Sequence, residues 1–190
     1  MNPVSMADCA GLWRRTLLVG ADGSRDTSTE VRWLQGITAF VDSRGFGGWL
    51  SQRADVFEWN HFVSLQPPGP HPDAGRLRWD GGTLVEAGVY ADYVEHWQRH
   101  SAKVDPCWAL TLSSDSGDGL LLRVGDLFGW LERGERVQVV LGAVDGADWL
   151  PGAGAVIRPR RAGDELIVEE DGSGTQRRWR VKDSEGCVRL

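Results

Sequence analysis

The sequence predicts an all-β protein, built as an antiparallel barrel of about eight to ten strands. Short runs of alternating apolar and polar residues recur along the chain, and 25 glycines and 8 prolines supply turns between them. Ten tryptophans are spread along the 190 residues instead of being clustered. Rings distributed in this way fill the interior of a barrel or close its ends. A sandwich of two sheets would give the same short strands, so it stays open as an alternative.

Alternation of apolar and polar residues predicts several individual strands. Val137–Leu141 is predicted to be a short strand because it is rich in β-branched residues. The segment 126–133 is a helix candidate, although Gly129 counts against it. The clearest strands are the arms of two hairpins, 76–79 with 82–86 around Asp80-Gly81, and 165–169 with 176–181 around 171–174.

The chain, expected to be a single domain spanning 1–190, divides into two halves with a similar order of features, 11–100 and 105–190. Each half begins with a strand led by a tryptophan, Trp13 or Trp108, and each has a late hairpin. This order predicts pseudo-repeated halves. They form either two half-barrels that close one barrel, or two small barrels side by side.

Charge and cysteine usage limit the partners. The net charge of −6 argues against a nucleic-acid partner, which needs a basic face. The arginine-rich stretches at 158–161 and 177–180 are expected to be solvated strand faces, with an anion-binding surface as the alternative. Residues 1–10 lack the features of a secretory signal, and no apolar run is long enough to span a membrane. Cys9, Cys107 and Cys187 are too widely spaced for a disulfide framework, so we expect a cytoplasmic protein with free thiols and no membrane partner.

No motif in the sequence predicts a metal, a cofactor or a catalytic residue. His96 and His100 are four residues apart, which on a strand corresponds to about 13 Å and is too far for one ion. No histidine follows His100, so the haem ligand that some barrels take from a late strand is missing. If the protein were an enzyme, the residues to test would be Asp42, Arg44, Glu58, His61 and Asp92.

Two sets of residues resemble known barrels. Gly11-Leu12-Trp13 resembles the Gly-x-Trp of the lipocalin and wider calycin superfamily, in which the tryptophan closes one end of the barrel and an arginine from the last strand lies across it. By this resemblance, the strand 177–180 supplies that arginine. Longer strings resemble a bacterial family that is similar to the fungal Hri proteins, calycin-like barrels for which the resemblance implies no reaction. These strings are Trp13-Arg14-Arg15, Asp26–Gln35, Val41-Asp42-x-Arg44, Asp73–Trp79 and Glu86–Trp97.

Together these observations predict a ligand site in a tryptophan-lined barrel. The expected ligand is a small hydrophobic or amphiphilic molecule, since aromatic walls with a few inward polar groups hold such molecules. A solid core without a ligand stays open. The predicted site residues are Trp33, Trp59, His61, Trp79 and Trp97, with Asp42 and Arg44 from the family strings.

The alternative function is a protein-interaction module. Its basis is the proline-rich loop 67–72 and the run Phe46–Leu50, which reads as an exposed, glycine-rich apolar loop. A homodimer is one form that such a module would take.

Overall fold

A computed structural model describes residues 3–101, 103–152, 156–170 and 175–190. The first half contains α1 (Met6–Cys9), β1 (Gly11–Val19), β2 (Arg25–Asp26), β3 (Arg32–Gln35), β4 (Ala39–Asp42), β5 (Phe46–Arg53), β6 (Val56–Ser64), β7 (Ala74–Asp80), β8 (Thr83–Gly88) and β9 (Val94–Ser101). The second half contains β10 (Cys107–Ser114), β11 (Gly117–Val124), β12 (Leu127–Gly134), β13 (Gln138–Asp145), β14 (Asp148–Pro151), β15 (Ile157–Ala162), β16 (Glu165–Glu170) and β17 (Gln176–Gly186). The predicted all-β class is confirmed.

Each half closes its own antiparallel barrel. In the first barrel, strands β1 and β3 to β9 follow one another, and β9 returns to pair with β1. The short β2 extends this sheet beside the outer end of β1, at Leu18 and Val19. In the second barrel, β10 to β17 follow in sequence and β17 closes on β10. Of the two arrangements left open by the sequence, the chain adopts two barrels side by side.

Both predicted hairpins form. Strands β7 and β8 pair from Gly75 to Asp80, and Gly81 takes a φ of 58° in the turn, a conformation that glycine adopts without strain. Strands β16 and β17 pair as expected, while their predicted turn at 171–174 lies outside the described residues.

The helix expected at 126–133 is wrong, because this segment is strand β12. Phe128 and Trp130 point into the second barrel, whereas Gly129 and Leu131 meet the first barrel. A strand that is covered on both faces is apolar throughout, and such a short run cannot be distinguished from a helix by its periodicity.

The expected exposed loop at Phe46–Leu50 is also wrong. These residues begin β5, with Phe46 and Leu50 buried inside the first barrel. The two glycines between them serve close contacts instead of a turn. A Cβ at Gly48 would lie 2.0 Å from the carbonyl oxygen of Asn60 on the neighbouring strand.

An apolar layer lies between the two barrels. Glycines let the backbones approach, since a Cβ at Gly129 would lie 2.3 Å from Cγ2 of Val41, and one at Gly47 would lie 2.5 Å from Cδ2 of Leu131. The buried residues of the layer are Leu12, Leu34, Ala39, Val41, Phe62 and Val63 from the first barrel, and Ala109, Leu120, Leu122, Val124 and Leu131 from the second.

A polar contact fixes one edge of this layer. The Glu185 carboxylate on β17 accepts hydrogen bonds from the backbone N–H of Ala39 at 2.9 Å and from the Thr38 hydroxyl at 2.7 Å. The backbone N–H of Thr38 also points to this carboxylate, at 3.2 Å. The turn between β3 and β4 is therefore completed by the last strand of the other barrel.

Trp13 closes one end of the first barrel. Its ring is fully buried, and its Nε1 donates to the carbonyl of Cys9 in α1 at 2.6 Å. The guanidinium of Arg99 lies 4.3 Å from the ring centre and donates to the carbonyls of Asp8 and Ala10. The expectation that 177–180 supplies this arginine is wrong. Because the first half closes on itself, β9 is the strand that lies beside β1.

The arginine-rich strands of the second barrel carry paired charges. Arg158 on β15 lies 2.6 Å from the Asp148 carboxylate, and Arg178 on β17 lies 3.0 Å from that of Glu165. Arg177 pairs with the buried Glu132 and stacks on Trp179, within its own barrel.

Candidate functional site

A cavity of about 370 Å³ lies inside the first barrel. Its walls combine aromatic rings with charged groups, which come from strands all around the barrel. The aromatic residues are Trp33, Phe46, Trp59 and Trp97, and the charged residues are Arg15, Asp42, Arg44, Asp73, Glu86 and Glu95. Leu18, Gly20 and Tyr93 complete the lining.

Strand alternation explains why these side chains meet. Residues two apart on a strand point to the same face, so a polar residue two positions from an inward ring also points inward. Glu95 and Trp97 are related in this way on β9. The same spacing relates Trp13 to Arg15 on β1, Trp33 to Gln35 on β3, Phe40 to Asp42 on β4, and Leu84 to Glu86 on β8.

Three buried tryptophans form the aromatic wall. The rings of Trp59 and Trp97 both stand edge-on to Trp33, with centroid distances of 5.8 and 5.7 Å and interplanar angles of 69° and 68°. The Nε1 of Trp33 donates to the side-chain oxygen of Gln35 at 3.1 Å. The rings are therefore held by packing and by a hydrogen bond, without a ligand.

A buried ion-pair network lies beside this wall. Glu95 Oε1 accepts from Arg15 at 2.6 Å and from Arg44 at 3.3 Å. Arg44 forms a two-pronged pair with Asp42, through Nε to Oδ1 and Nη2 to Oδ2, both at 2.9 Å. Arg15 also lies 3.6 Å from Asp26. Burial opposes the charge of Arg44, but the hydrogen bond and charge of Asp42, together with the charges of Glu95 and Glu86, outweigh it and raise the pKa of that guanidinium.

Glu86 differs from the other acids of the cavity. Its carboxylate contacts the Tyr93 hydroxyl at 2.7 Å and the Trp97 Nε1 at 3.1 Å, both neutral groups. Burial and the charge of Glu95, its cross-strand neighbour, raise the pKa of Glu86 to about 8. Burial, with the Glu86 charge, also raises the pKa of the Tyr93 hydroxyl. At neutral pH Glu86 is therefore mostly protonated.

Arg44 and Asp73 mark the solvent side of the cavity. Their side chains are 33% and 37% exposed, more than those of the other charged lining residues. Asp73 lies 3.0 Å from Nε2 of His61, whose ring stacks on Phe46 with a centroid distance of 4.5 Å. His61 therefore contacts two lining residues, Asp73 and Phe46, without lining the cavity itself.

Five of the seven predicted site residues line the cavity: Trp33, Trp59, Trp97, Asp42 and Arg44. His61 and Trp79 do not. Trp79 packs against Trp13, with a centroid distance of 6.1 Å, toward the end that α1 closes. Glu58 and Asp92, named for an enzyme, also lie outside the lining.

The predicted site omitted Arg15, Glu86, Tyr93 and Glu95. Glu86 and Glu95 fall at the spacing of inward residues on their strands, as Arg15 does two positions after Trp13. The signal was therefore present in the alternation. It was hidden because charged residues are rarely buried, so a charged position in a strand is normally assigned to the solvent face.

The interior of the second barrel contains packed apolar side chains. Rings of Trp108 and Phe128 both pack against Trp149, at 6.1 and 5.1 Å between centroids, and Trp130 packs against Trp179 at 5.4 Å. Buried leucines and a valine fill the space between them, at Leu110, Leu112, Leu121, Leu166 and Val168.

In the described part of the chain, no group of three or more histidine, cysteine or acidic side chains could hold a metal ion, and no helix there is long and apolar enough to cross a membrane. His96 and His100 lie on strand β9. Cys9, Cys107 and Cys187 are free thiols, and burial raises the pKa of Cys9 to about 12, which makes it a poor nucleophile.

Comparison with protein families, with curated proteins and with solved structures finds no match to this chain.

Proposed function

We propose that the first barrel binds a small amphiphilic molecule in its cavity. The observation that carries this proposal is the space of about 370 Å³ walled by Trp33, Trp59 and Trp97. Ligand pockets commonly measure about 300–1,000 Å³, with apolar walls and a few fixed polar groups. The cavity lies at the small end of that range and has both kinds of wall.

The arrangement of the walls indicates how the ligand lies. Its apolar body packs against the rings, which bury a large apolar area at little entropic cost because they are already fixed. Its polar end meets Glu86 and the network of Asp42, Arg44 and Glu95. The opening beside Arg44 and Asp73 admits the ligand.

A calycin-like relationship and a cytoplasmic location are also parts of this proposal. The buried Trp13, with Arg99 across its ring, is the arrangement that the Gly-x-Trp resemblance implies. The relationship to the Hri-like bacterial family rests instead on the longer strings, among them Asp73–Trp79 and Glu86–Trp97. Free cysteines agree with a reducing compartment.

Native mass spectrometry of the freshly purified protein, compared with its denatured mass, tests the proposal. We expect extra mass in the native spectrum, or binding of an added naphthalene compound followed by quenching of tryptophan fluorescence. The same spectra distinguish a monomer from the homodimer that an interaction module would form. A bare native mass, together with no binding of any probe, would refute a small-molecule function.

A cavity-filling variant locates the binding. Leu18→Trp adds a ring to the lining without removing a charge, so binding should be lost while the fold is retained. Leu150→Trp, the same change at an exposed position of β14 in the second barrel, is the control and should bind normally. Equal binding by both variants would place the site elsewhere.

A further inference from the structure

We infer that the ligand of the first barrel is an organic cation, an amine or ammonium group on an apolar body, held by the Glu86 carboxylate and the rings of Trp33, Trp59 and Trp97. This inference rests on the proposed binding function and specifies its ligand class.

The cavity has an excess of acidic groups. Four carboxylates line it, those of Asp42, Asp73, Glu86 and Glu95, against the two guanidiniums of Arg15 and Arg44. An enclosed site with more acids than bases attracts a positive charge.

Both arginines are already paired. Arg44 is held by Asp42 and Glu95, and Arg15 by Glu95 and Asp26. An anionic ligand would have to displace carboxylates that are buried against these guanidiniums, and each displaced charge would be left uncompensated. The network therefore disfavours an anion in the cavity.

Glu86 lacks a comparable partner. Its two hydrogen-bond partners are neutral, and within the described residues no arginine, lysine or histidine lies at ion-pair distance from it. A ligand cation would supply the missing charge. Because Glu86 is mostly protonated at pH 7, the cation would displace its proton to the solvent.

The rings supply the second part of a site for a cation. Ring faces attract cations within about 6 Å of their centres. The Arg44 guanidinium already contacts the Trp97 ring in this way, 5.9 Å from its centre, so the aromatic wall accommodates a positive charge. Trp33, which stacks on Trp13 with a centroid distance of 6.0 Å, and Trp59 also border the cavity. The Glu86 carboxylate accepts a hydrogen bond from Nε1 of Trp97, so it lies at the border of this aromatic wall.

The charge balance at Glu86 includes groups from several elements. Glu95 and Tyr93 face it from β9 and the loop before it, Asp73 from the loop before β7, Arg44 from the turn after β4, and Cys9 from α1. Burial, Glu95 and Asp73 disfavour the charged form of Glu86, whereas the hydrogen bond from Tyr93 and the charge of Arg44 favour it. The protonated form wins in the absence of a cation.

Three probes with the same naphthalene body test the inference by isothermal titration calorimetry at pH 7. They are 1-naphthylmethylamine, which is a cation, 1-naphthylmethanol, which is neutral, and 1-naphthoate, which is an anion. We expect the amine to bind at least about tenfold more tightly than the alcohol, and the naphthoate to bind most weakly.

Proton release gives an independent measurement. Titrations of the amine in phosphate and in Tris, which differ in ionisation enthalpy, should show proton release on binding, because Glu86, whose pKa is raised by burial and by Glu95, must lose its proton to meet the cation. The alcohol should release none. Amine affinity should rise from pH 6 to pH 7.

Glu86→Gln assigns the effect to one residue. The amide resembles the protonated acid in shape, so the ratio of amine to alcohol affinity should fall at least about tenfold and proton release should stop. Glu165→Gln, which removes an acid of the second barrel, is the matched control and should keep both.

The outcomes separate the two proposals. If the alcohol or the naphthoate binds as tightly as the amine, the cation inference is wrong and the binding function stands. If the amine is preferred but releases no proton, Glu86 is not its partner and the inference is also wrong. If none of the three probes binds, both proposals fail.

Discussion

The two barrels share a strand count and a mode of closure, but their interiors differ. Six polar side chains are buried in the described part of the chain, and five of them lie in the first barrel: Arg15, Gln35, Asp42, Glu86 and Glu95. The sixth, Glu132, belongs to the second barrel, where it pairs with Arg177 beside a cluster of buried apolar residues. The first barrel has a cavity lined by charged residues and rings, whereas among the described residues of the second barrel a cluster of leucine, valine and aromatic side chains packs inside.

This difference shows that the same architecture can hold a ligand cavity in one barrel and a packed apolar core in the other. Charged groups must keep their hydrogen bonds and ion pairs when buried, so their partners determine where they lie, whereas hydrocarbon side chains are free to fill space. The fold therefore does not determine which barrel is hollow. A few residues at inward positions do, and substitutions at such positions should affect the two barrels differently.

The largest effect is expected from the ion-pair network of the first barrel. Glu95→Gln removes the carboxylate that Arg15 and Arg44 share, and leaves buried positive charge behind. We expect the free energy of unfolding to fall by about 3–5 kcal/mol in urea denaturation. Glu30→Gln, which breaks an exposed ion pair with Arg32, should lower it by less than about 1 kcal/mol. Similar losses for both would contradict a structural role of the network.

Truncation of a leucine should distinguish a filled interior from a hollow one. Leu166→Ala leaves a void in the packed second barrel and should lower the free energy of unfolding by about 2–5 kcal/mol. Leu18→Ala only enlarges an existing cavity, so we expect a loss of less than about 1 kcal/mol. A large loss at Leu18 would mean that the cavity collapses around this side chain.

The layer between the barrels should tolerate little added volume. Gly129→Ala forces its new Cβ against Val41, so we expect a loss of about 1–3 kcal/mol and separate unfolding steps for the two barrels. Gly82→Ala, at a position with open space around it, is the control. A single cooperative step in the wild type would support the expected single domain, which stays a prediction.

A smaller effect, measured per pH unit, should come from Glu86. Its pKa in the folded state lies above the ordinary glutamate value of 4.5, so the native state holds this proton more tightly than the unfolded state does. Its contribution to stability is complete below about pH 4.5 and is lost as the pH rises toward 8. The loss is at most about 1.4 kcal/mol per pH unit for one proton.

Thermal unfolding of the wild type and Glu86→Gln between pH 5 and 8 measures this contribution. As the pH rises, the melting temperature of the wild type should fall relative to that of Glu86→Gln. Carboxylates with lowered pKa values, such as Asp26, stay ionised over this range and do not contribute to the slope. Parallel curves would show that Glu86 titrates normally in the folded state.

Much of the interior could be predicted from the sequence because strand alternation determines which way a side chain points. Trp33, Trp59 and Trp97 were assigned inward in this way, and all three line the cavity. Alternation does not specify the depth of a residue along the barrel axis. Trp79 points inward but lies toward the closed end, beside Trp13.

Other features depend on pairings between distant strands. The arginine over Trp13 comes from β9 because the first half closes alone, which the sequence left open. Near His61, the pairing of β5 with β6 skips Phe62, and the simple alternation ends there. The charged network was missed because its ion pairs join residues that are distant in the sequence and meet only when the strands pair.

The contact of Glu185 with Thr38 and Ala39 has a consequence for the order of events during synthesis. Every strand pairing of the first barrel joins residues between Gly11 and Ser101, so this barrel can close on the ribosome while the rest of the chain is still being translated. Its turn at Thr38 and Ala39, however, receives its acceptor from near the end of the chain. Until Glu185 leaves the exit tunnel, these two amides and the apolar residues beside them face water. A nascent chain stalled before that point would have a complete cavity in its first barrel, while the apolar surface that later contacts the second barrel stayed exposed.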